Sequence, residues 1–576
     1  MLKIVKHKEI SGLDVALYLL LFFVCIMGIS TLALIVRMPI IGFYIIIGFA
    51  IVAISAFVFY EKIKALKLVL ILLFVIVGST LFASSFYDIS FDGNSYRKPS
   101  VYMLNMGWNP VYETFREAST RFSDPLPFTP GQWFDTYPKG DYLVAAPMYS
   151  LVGNVEAGSF FNPLLLIALI GVTYTILKDL FNLSKLQTAM CVFVLAINPV
   201  SLAQLTNFYN DVALGNMVFI FILACMYILM KRDGAYVARC WALIFLTPAI
   251  GFNLKLSGPV FFAIFMVPFY FYLMYVCFKA SNIASMRRIT VFFTVCVISA
   301  FCFFGMTTYV TNTIRFHNPV FGTIGEGSFD IVTPQIPTAI RDEPLWSQFA
   351  HSIFVEKGQD GTGILKTPFT ITTNDRNFMF AFQPDIRLSG WGVFFSGIFL
   401  ISALIINIYL IRTNRRSIEY WIAASLVVLI FLPVPFVPGL FWARYYPQLF
   451  ILPVIALVIL FRYCDANNSF KRRVAFSQVL SVALSALIIA NATPQIITLN
   501  TRLQLSNDIR RSFEQIVEES QGLSVRIGSG GDRVFGGVIV NMIDMGITNY
   551  IIDNDLQEFD GIVTFGFWRI GYTFEE

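Results

Sequence analysis

The sequence predicts an α-helical polytopic membrane protein with about thirteen transmembrane helices, followed by a small C-terminal extracytoplasmic α/β domain. Three observations carry this. Of 576 residues, 57% are hydrophobic and only 13% charged, where a soluble protein would be about one quarter charged. Most of the length is taken up by apolar runs of 17 to 25 residues, the length a helix needs to cross the hydrocarbon core. Lysine and arginine, finally, concentrate in every second short loop, the bias that orients membrane helices. The 59 phenylalanines and a mean hydropathy of +0.70 agree with lipid-facing helices.

In chain order the apolar runs fall at 13–36, 39–60, 66–86, 158–177, 186–204, 211–230, 237–253, 257–278, 289–311, 390–411, 419–436, 446–462 and 474–492. The first stretch follows a basic N-terminus, is too long for a signal-peptide core and has no small-residue cleavage site, so a retained first helix is expected. Residues 1–65 form an N-terminal hairpin, and 66–492 a transmembrane core with long polar loops at 87–157 and 312–389. Residues 493–576 form the C-terminal domain, read from a mixed composition, an amphipathic stretch at 503–520 and β-branched runs at 537–540, 550–552 and 561–565. The cluster Gly528-Ser-Gly-Gly531 resembles a phosphate-cradling loop only faintly, and a lone glycine cluster is usually a turn.

Placing the N-terminus in the cytoplasm puts 21 of the 41 basic residues on that side, among them Lys62, Lys64, Arg287, Arg288, Arg415 and Arg416. The opposite short loops then hold only Arg37, Lys255 and Arg444, and the three long segments carry 28 of the 36 acidic residues outside. The polar outer face is therefore where a site is expected. Eight cysteines lie in or beside apolar runs, so no disulfide is predicted. No Gly-x-x-x-x-Gly-Lys-Ser/Thr motif is present, and the histidines His7, His317 and His351 are dispersed. No cofactor is predicted; a divalent metal is not expected, though not excluded.

Ionisable residues at membrane depth are costly and are functional candidates by default. Here those nearest the membrane gather at one level, the outer ends of helices: Asp88, Asp92, Asp211, Lys255, Arg315 and Arg444. Together they would make a polar site suited to a substrate with a lipid tail and a charged head. Cations there could neutralise a phosphate leaving group while a carboxylate takes a proton from an attacking hydroxyl. Each charge taken alone reads more readily as a solvated anchor than as a catalyst. Asp211 could cap its helix, and Trp108, Trp133 and Trp391 could be interfacial belt residues as readily as sugar platforms.

The first outer segment reads Ser90-Phe-Asp-Gly-Asn-Ser-Tyr-Arg-Lys-Pro99, then Asn105-Met-Gly-Trp-Asn-Pro110 and Thr136-Tyr-Pro-Lys-Gly140. It resembles the first extracytoplasmic loop of GT-C-fold membrane glycosyltransferases, which use polyprenyl-phosphate-linked sugars; the most similar members modify bacterial surface polysaccharides such as O-antigen. Asn207-Phe-Tyr-Asn-Asp211, Gly251-Phe-Asn-Leu-Lys-Leu-Ser-Gly258, Tyr309-Val-Thr-Asn-Thr-Ile-Arg315 and Trp442-Ala-Arg-Tyr-Tyr-Pro447 add to the likeness, which spans about residues 66 to 460. The resemblance implies that Asp92, with Asp88 as the alternative, is the catalytic carboxylate of an inverting transfer. Family members often carry Tyr-His after the acid; here the pair is Tyr96-Arg97. The resemblance places Lys255, Arg315 and Arg444 at the donor phosphate, joined by Arg97 and Lys98. Tyr96, Trp108, Asn109, Lys139, Asn207, Asp211 and Tyr445 are the candidate substrate contacts.

The expected partners are an undecaprenyl-phosphate-linked sugar donor, a glycan or lipopolysaccharide-type acceptor and the bilayer of the bacterial inner membrane, with no nucleic acid. Two other readings stay open. A polysaccharide polymerase or ligase would rely on Arg and His of the later loops. A lipid-linked sugar transporter or flippase would need polar residues at mid-membrane depth, which this chain largely lacks.

Overall fold

The computed structural model describes residues 9–121, 133–231, 233–325, 328, 330, 332–358, 363–466, 471–520, 523–529, 534–553, 556, 558–565 and 568–575. Among them, eight helices are long and apolar enough to cross a membrane, and six shorter apolar helices accompany them. The protein is thus a multi-pass α-helical membrane protein. Each of the thirteen apolar runs overlaps one of these helices, and the fourteenth lies inside the segment read from sequence as a polar outer loop.

The chain begins with α1 (Gly12–Ile35), α2 (Phe43–Phe59) and α3 (Lys62–Ser84). Ser11 caps α1 reciprocally with Asp14, satisfying donors that a helix start leaves open. Asp14 is buried and receives Tyr60 Oη and Arg239 Nε, both at 2.5 Å. This ties the predicted cytoplasmic ends of α1, α2 and a later helix together. After α3 come α4 (Lys98–Asn105) and α5 (Tyr142–Val152); α5 is the additional apolar helix, packed against α1, α2 and α4.

The core continues through α6 (Phe161–Phe181), α7 (Lys185–Ala196), α8 (Pro199–Gln204), α9 (Asp211–Met230), α10 (Val237–Gly251), α11 (Gly258–Lys279) and α12 (Ile283–Ile298). The run predicted at 186–204 is therefore two helices. Pro199 cannot donate the bond a continuous helix needs, and Asn198 makes the break by accepting Ser201 N at 2.9 Å and donating to Leu195 O at 2.7 Å. After the second long loop come α13 (Phe395–Arg412), α14 (Ile418–Phe431), α15 (Ile451–Ala466) and α16 (Lys471–Ser520).

Helix α16 is the larger surprise. The run read as ending at 492 continues without a break to Ser520, a helix of 50 residues that takes in the 503–520 amphipathic stretch. At 1.5 Å per residue it is about 75 Å long, more than twice the hydrocarbon thickness. Buried Arg502 fixes it to the core, donating to Leu202 O at 2.9 Å and Thr206 Oγ1 at 3.2 Å.

Beyond it lies a four-stranded sheet of order β2-β1-β4-β3, from β1 (Ser524–Gly528), β2 (Tyr550–Ile552), β3 (Gly561–Phe565) and β4 (Trp568–Glu575). β1 and β2 are parallel and joined through α17 (Gly536–Asp544); β4 runs antiparallel to β1 and β3. The β-branched run 537–540 is thus helix, while 550–552 and 561–565 are strands. Val538, Ile539 and Val540 are buried, and burial overrides their modest helix propensity. Gly530 and Gly531 of the glycine cluster lie outside the described residues.

This unit docks on the core. Asp544 accepts Tyr149 Oη and Val155 N, both at 2.7 Å, and burial pushes its carboxyl up to about 6. An unfolded Asp titrates near 3.9, so the folded protein binds this proton more tightly. The contribution is thus stabilising below pH 4 and is lost as pH rises through about 6. Thermal unfolding of wild type and Asp544→Asn, compared between pH 4.5 and 7.5, should show a flatter pH dependence in the variant.

Candidate active site

The segment between α3 and α4 presents two carboxylates in different environments. Asp88 is fully buried and accepts Ser90 N at 2.7 Å and Phe208 N at 2.8 Å. Burial outweighs the nearby Lys98 and raises its carboxyl to about 6. Asn94 donates to the carbonyls of Asp88 (2.7 Å) and Ser90 (2.9 Å), closing the chain into a tight turn. Asp92 sits at the crest, before the π-helical turn Gly93–Arg97, with its side chain 20% exposed. Its carboxylate faces Arg444 at 3.6 Å.

Arg444 is the centre of the site. Its guanidinium is 6% exposed and contacts Asp385 at 2.8 Å, Asp211 at 3.5 Å and Asp92 at 3.6 Å. Asp211 opens α9 and also pairs with Lys255 from the turn between α10 and α11; Gln204 donates to it at 3.1 Å. Lys255 Nζ lies 3.4 Å from the centre of the Tyr445 ring, and burial lowers its pKa. Arg444 lies over the rings of Tyr209 (4.5 Å), Tyr445 (4.8 Å) and Trp442 (5.3 Å). Alongside, Arg97 pairs with Asp141 at 2.8 Å and donates to Asn210 at 3.1 Å. Burial pushes Asp141 up to about 6 against the pull of Arg97.

Such a cluster suits chemistry at a solvent boundary. Asp211 and Arg444 are shut in, while the side chains of Asp92, Lys255 and Asp385 remain 20%, 26% and 25% exposed. Fixed cations of this kind are worth more to a developing negative charge than water would be, because they need no reorganisation. Asp92 and Asp385 are the partly exposed carboxylates of the cluster, and a carboxylate in such a position can accept a proton from an incoming hydroxyl.

Of the candidates read from sequence, Asp92, Asp211, Lys255, Arg444 and Tyr445 come together, with Arg97 beside them. Others are held elsewhere. Lys98 Nζ points away, to Glu156 (2.9 Å), Asn541 (2.7 Å) and Asp88 O (3.2 Å). Arg315 holds loop carbonyls, donating to Pro110 O at 3.1 Å and Glu113 O at 3.0 Å. Lys139 is closed in by the carbonyls of Asp135, Tyr137 and Thr307, and burial lowers its pKa to about 7. Asn109 donates to Leu34 O at 2.8 Å and Asn207 to Ala203 O at 3.0 Å. Trp108 is completely buried, its ring edge-on to Phe115; Tyr96 stays beside Arg97, whose guanidinium lies 5.3 Å from its ring, and packs against Trp133 and Tyr137. Arg315, Lys139, Asn109 and Asn207 meet the cost of burying polar groups by donating to backbone carbonyls, which engages their donors away from Arg444.

Sequence reasoning missed Asp385, Arg387, Asp141, Tyr209, Asn210 and Trp442. Arg387 pairs with Asp385 at 2.8 Å and lies over Trp442 at 4.8 Å. A signal existed for half of these: Tyr209 and Asn210 lie within the Asn207–Asp211 stretch, and Trp442 opens the stretch around Arg444. Among the described residues, no group of three His, Cys, Asp or Glu side chains forms a candidate metal site.

Fold and site together define a multi-pass helical membrane protein with a charged cluster at one end of its bundle. Among solved structures it is similar to ArnT from Cupriavidus metallidurans bound to undecaprenyl phosphate, at 13% identity and a TM-score of 0.36, over 83% of this chain and 75% of that one. No protein-family model and no curated protein match the chain.

Proposed function

We propose that the protein is a membrane glycosyltransferase that moves a sugar from a polyprenyl phosphate, of the undecaprenyl class, to a hydroxyl of an extracytoplasmic glycan or glycolipid. The observation that carries this reading is Asp92, a half-open carboxylate 3.6 Å from a buried arginine, with Lys255 close by on Asp211. In the proposed step the acceptor oxygen attacks the anomeric carbon from the face opposite the phosphate. The bond from that carbon to the phosphate oxygen breaks and its electron pair leaves with the lipid phosphate. Arg444 and Lys255 neutralise that charge, Asp92 takes the hydroxyl proton, and the anomeric configuration inverts. No step calls for a cofactor. Tyr209 and Trp442 are buried beside Arg444, so Tyr445, partly exposed, is the aromatic residue of the cluster that a sugar ring can reach.

The proposed setting is the bacterial inner membrane, N-terminus in the cytoplasm and site on the periplasmic side, with an O-antigen or other lipopolysaccharide-type acceptor. Mass spectrometry of surface glycans from cells with and without the gene tests this: loss of one hexose per repeat is expected, and unchanged glycans overturn it. A polymerase or ligase is the second reading, favoured by the central position of Arg444 in a late loop; deletion would then shorten chains or leave them unattached.

A further inference from the structure

We infer that the C-terminal unit is a positioning element for Asp92, acting through α17 on the turn that carries it. The inference rests on the proposed role of Asp92. Three residues flanking that carboxylate each meet α17 or its N-terminal neighbour. The ring of Phe91 lies edge-on to Phe535 at 5.6 Å. Gly537 lies so close to the turn that a Cβ there would stand 2.6 Å from Asn94 Cα and 2.8 Å from Asn94 O. Lys98 donates to Asn541 Oδ1 at 2.7 Å.

The last contact has a particular logic. Lys98 ends the turn, and its ammonium reaches back to the carbonyl of Asp88, which begins it, at 3.2 Å. Its other two partners are Glu156 at 2.9 Å and Asn541. Asn541 in turn donates to Glu156 Oε1 at 2.9 Å. All three side chains are buried, where a lost partner is costly and a satisfied network is rigid. The ammonium therefore pins both ends of the eleven-residue segment from Asp88 to Lys98, and α17 holds the pin. The carboxylate of Asp92 itself is left to Arg444. Positioning of this kind matters because a displacement of about 1 Å at a reacting group can cost about 100-fold in rate.

The test uses the full chain in nanodiscs. Asn541→Leu removes both amide hydrogen bonds on the same branched heavy-atom skeleton, and Gly537→Val pushes α17 off Asn94. The paired exchange Asn541→Asp with Glu156→Gln restores the network, since the new carboxylate accepts from Lys98 and the new amide donates to it. Hydrogen–deuterium exchange across 90–97 should rise about tenfold in the two single variants, while peptides of α11 stay unchanged. Affinity for undecaprenyl phosphate should hold within about twofold, and glycan modification in cells should fall about 10- to 100-fold. The paired exchange should recover both. Unchanged exchange at 90–97, or undiminished modification, overturns the inference. Faster exchange throughout the helices with no recovery also overturns it, by showing a general structural role. If Asp92→Asn leaves modification intact, the transferase reading falls, and the exchange data alone decide whether α17 orders the turn.

Discussion

Asp92→Asn should abolish sugar transfer and leave the protein folded. The side chain is partly exposed and the charged contact it makes is the 3.6 Å approach to Arg444, so the substitution removes little that holds the fold together. An amide keeps the shape and cannot accept the acceptor proton. Loss of a positioned general base costs about 10²- to 10⁴-fold, and the variant should sit in that range when surface glycan modification is followed over time. Melting temperature and undecaprenyl phosphate affinity should stay near wild type. Retained modification at normal expression would remove Asp92 from the mechanism and leave the polymerase or ligase reading standing. Asp88→Asn is a useful contrast: that carboxylate holds the amides of Ser90 and Phe208, so its loss should appear as instability.

Arg444→Ala should be the most damaging single change at the site, and on two counts. Removing one partner of a buried ion pair costs about 3–5 kcal/mol because the other charge is left uncompensated. Arg444 serves Asp211, Asp385 and Asp92 together, so the variant should melt well below wild type. Lys255→Ala leaves Asp211 its arginine and should fold better. Its defect should instead lie in donor binding, where a lost hydrogen bond to a charged group is worth about 1.5–3 kcal/mol, or roughly 10- to 150-fold in the dissociation constant. Calorimetry with undecaprenyl phosphate and with the isolated acceptor glycan separates the two. Equal weakening toward both would argue against a phosphate role for Lys255.

Half of the proposed site is legible in the order of the amino acids, and the reason is energetic. A charge beside an apolar run stands out because membranes exclude charges, so Asp92, Asp211, Lys255 and Arg444 are marked by where the runs stop. Asp385 and Arg387 also stand close to a run, five and three residues before 390, but the other charges of their loop dilute that mark. They lie in a polar loop of many charged residues, where exposure costs nothing. The same rule misleads for Arg315, which stands near a helix end but spends its donors on loop carbonyls. Which carbonyls come within reach depends on loop paths that hydropathy does not encode.

What the sequence alone determined is the membrane frame: a run in each of thirteen places and the charge bias of the loops between them. The hydrocarbon thickness and the cost of unpaired backbone force that much on any chain of this composition. Tertiary structure decided the rest. It carried α16 through the point where hydropathy falls, because the helical hydrogen-bond ladder continues wherever packing supports it. It separated Asp88 from Asp92, four residues apart, into a buried anchor and a half-open carboxylate. And it brought α17, more than 430 residues downstream, against the Asp92 turn, because Lys98, Glu156 and Asn541 can be buried only in one another's company.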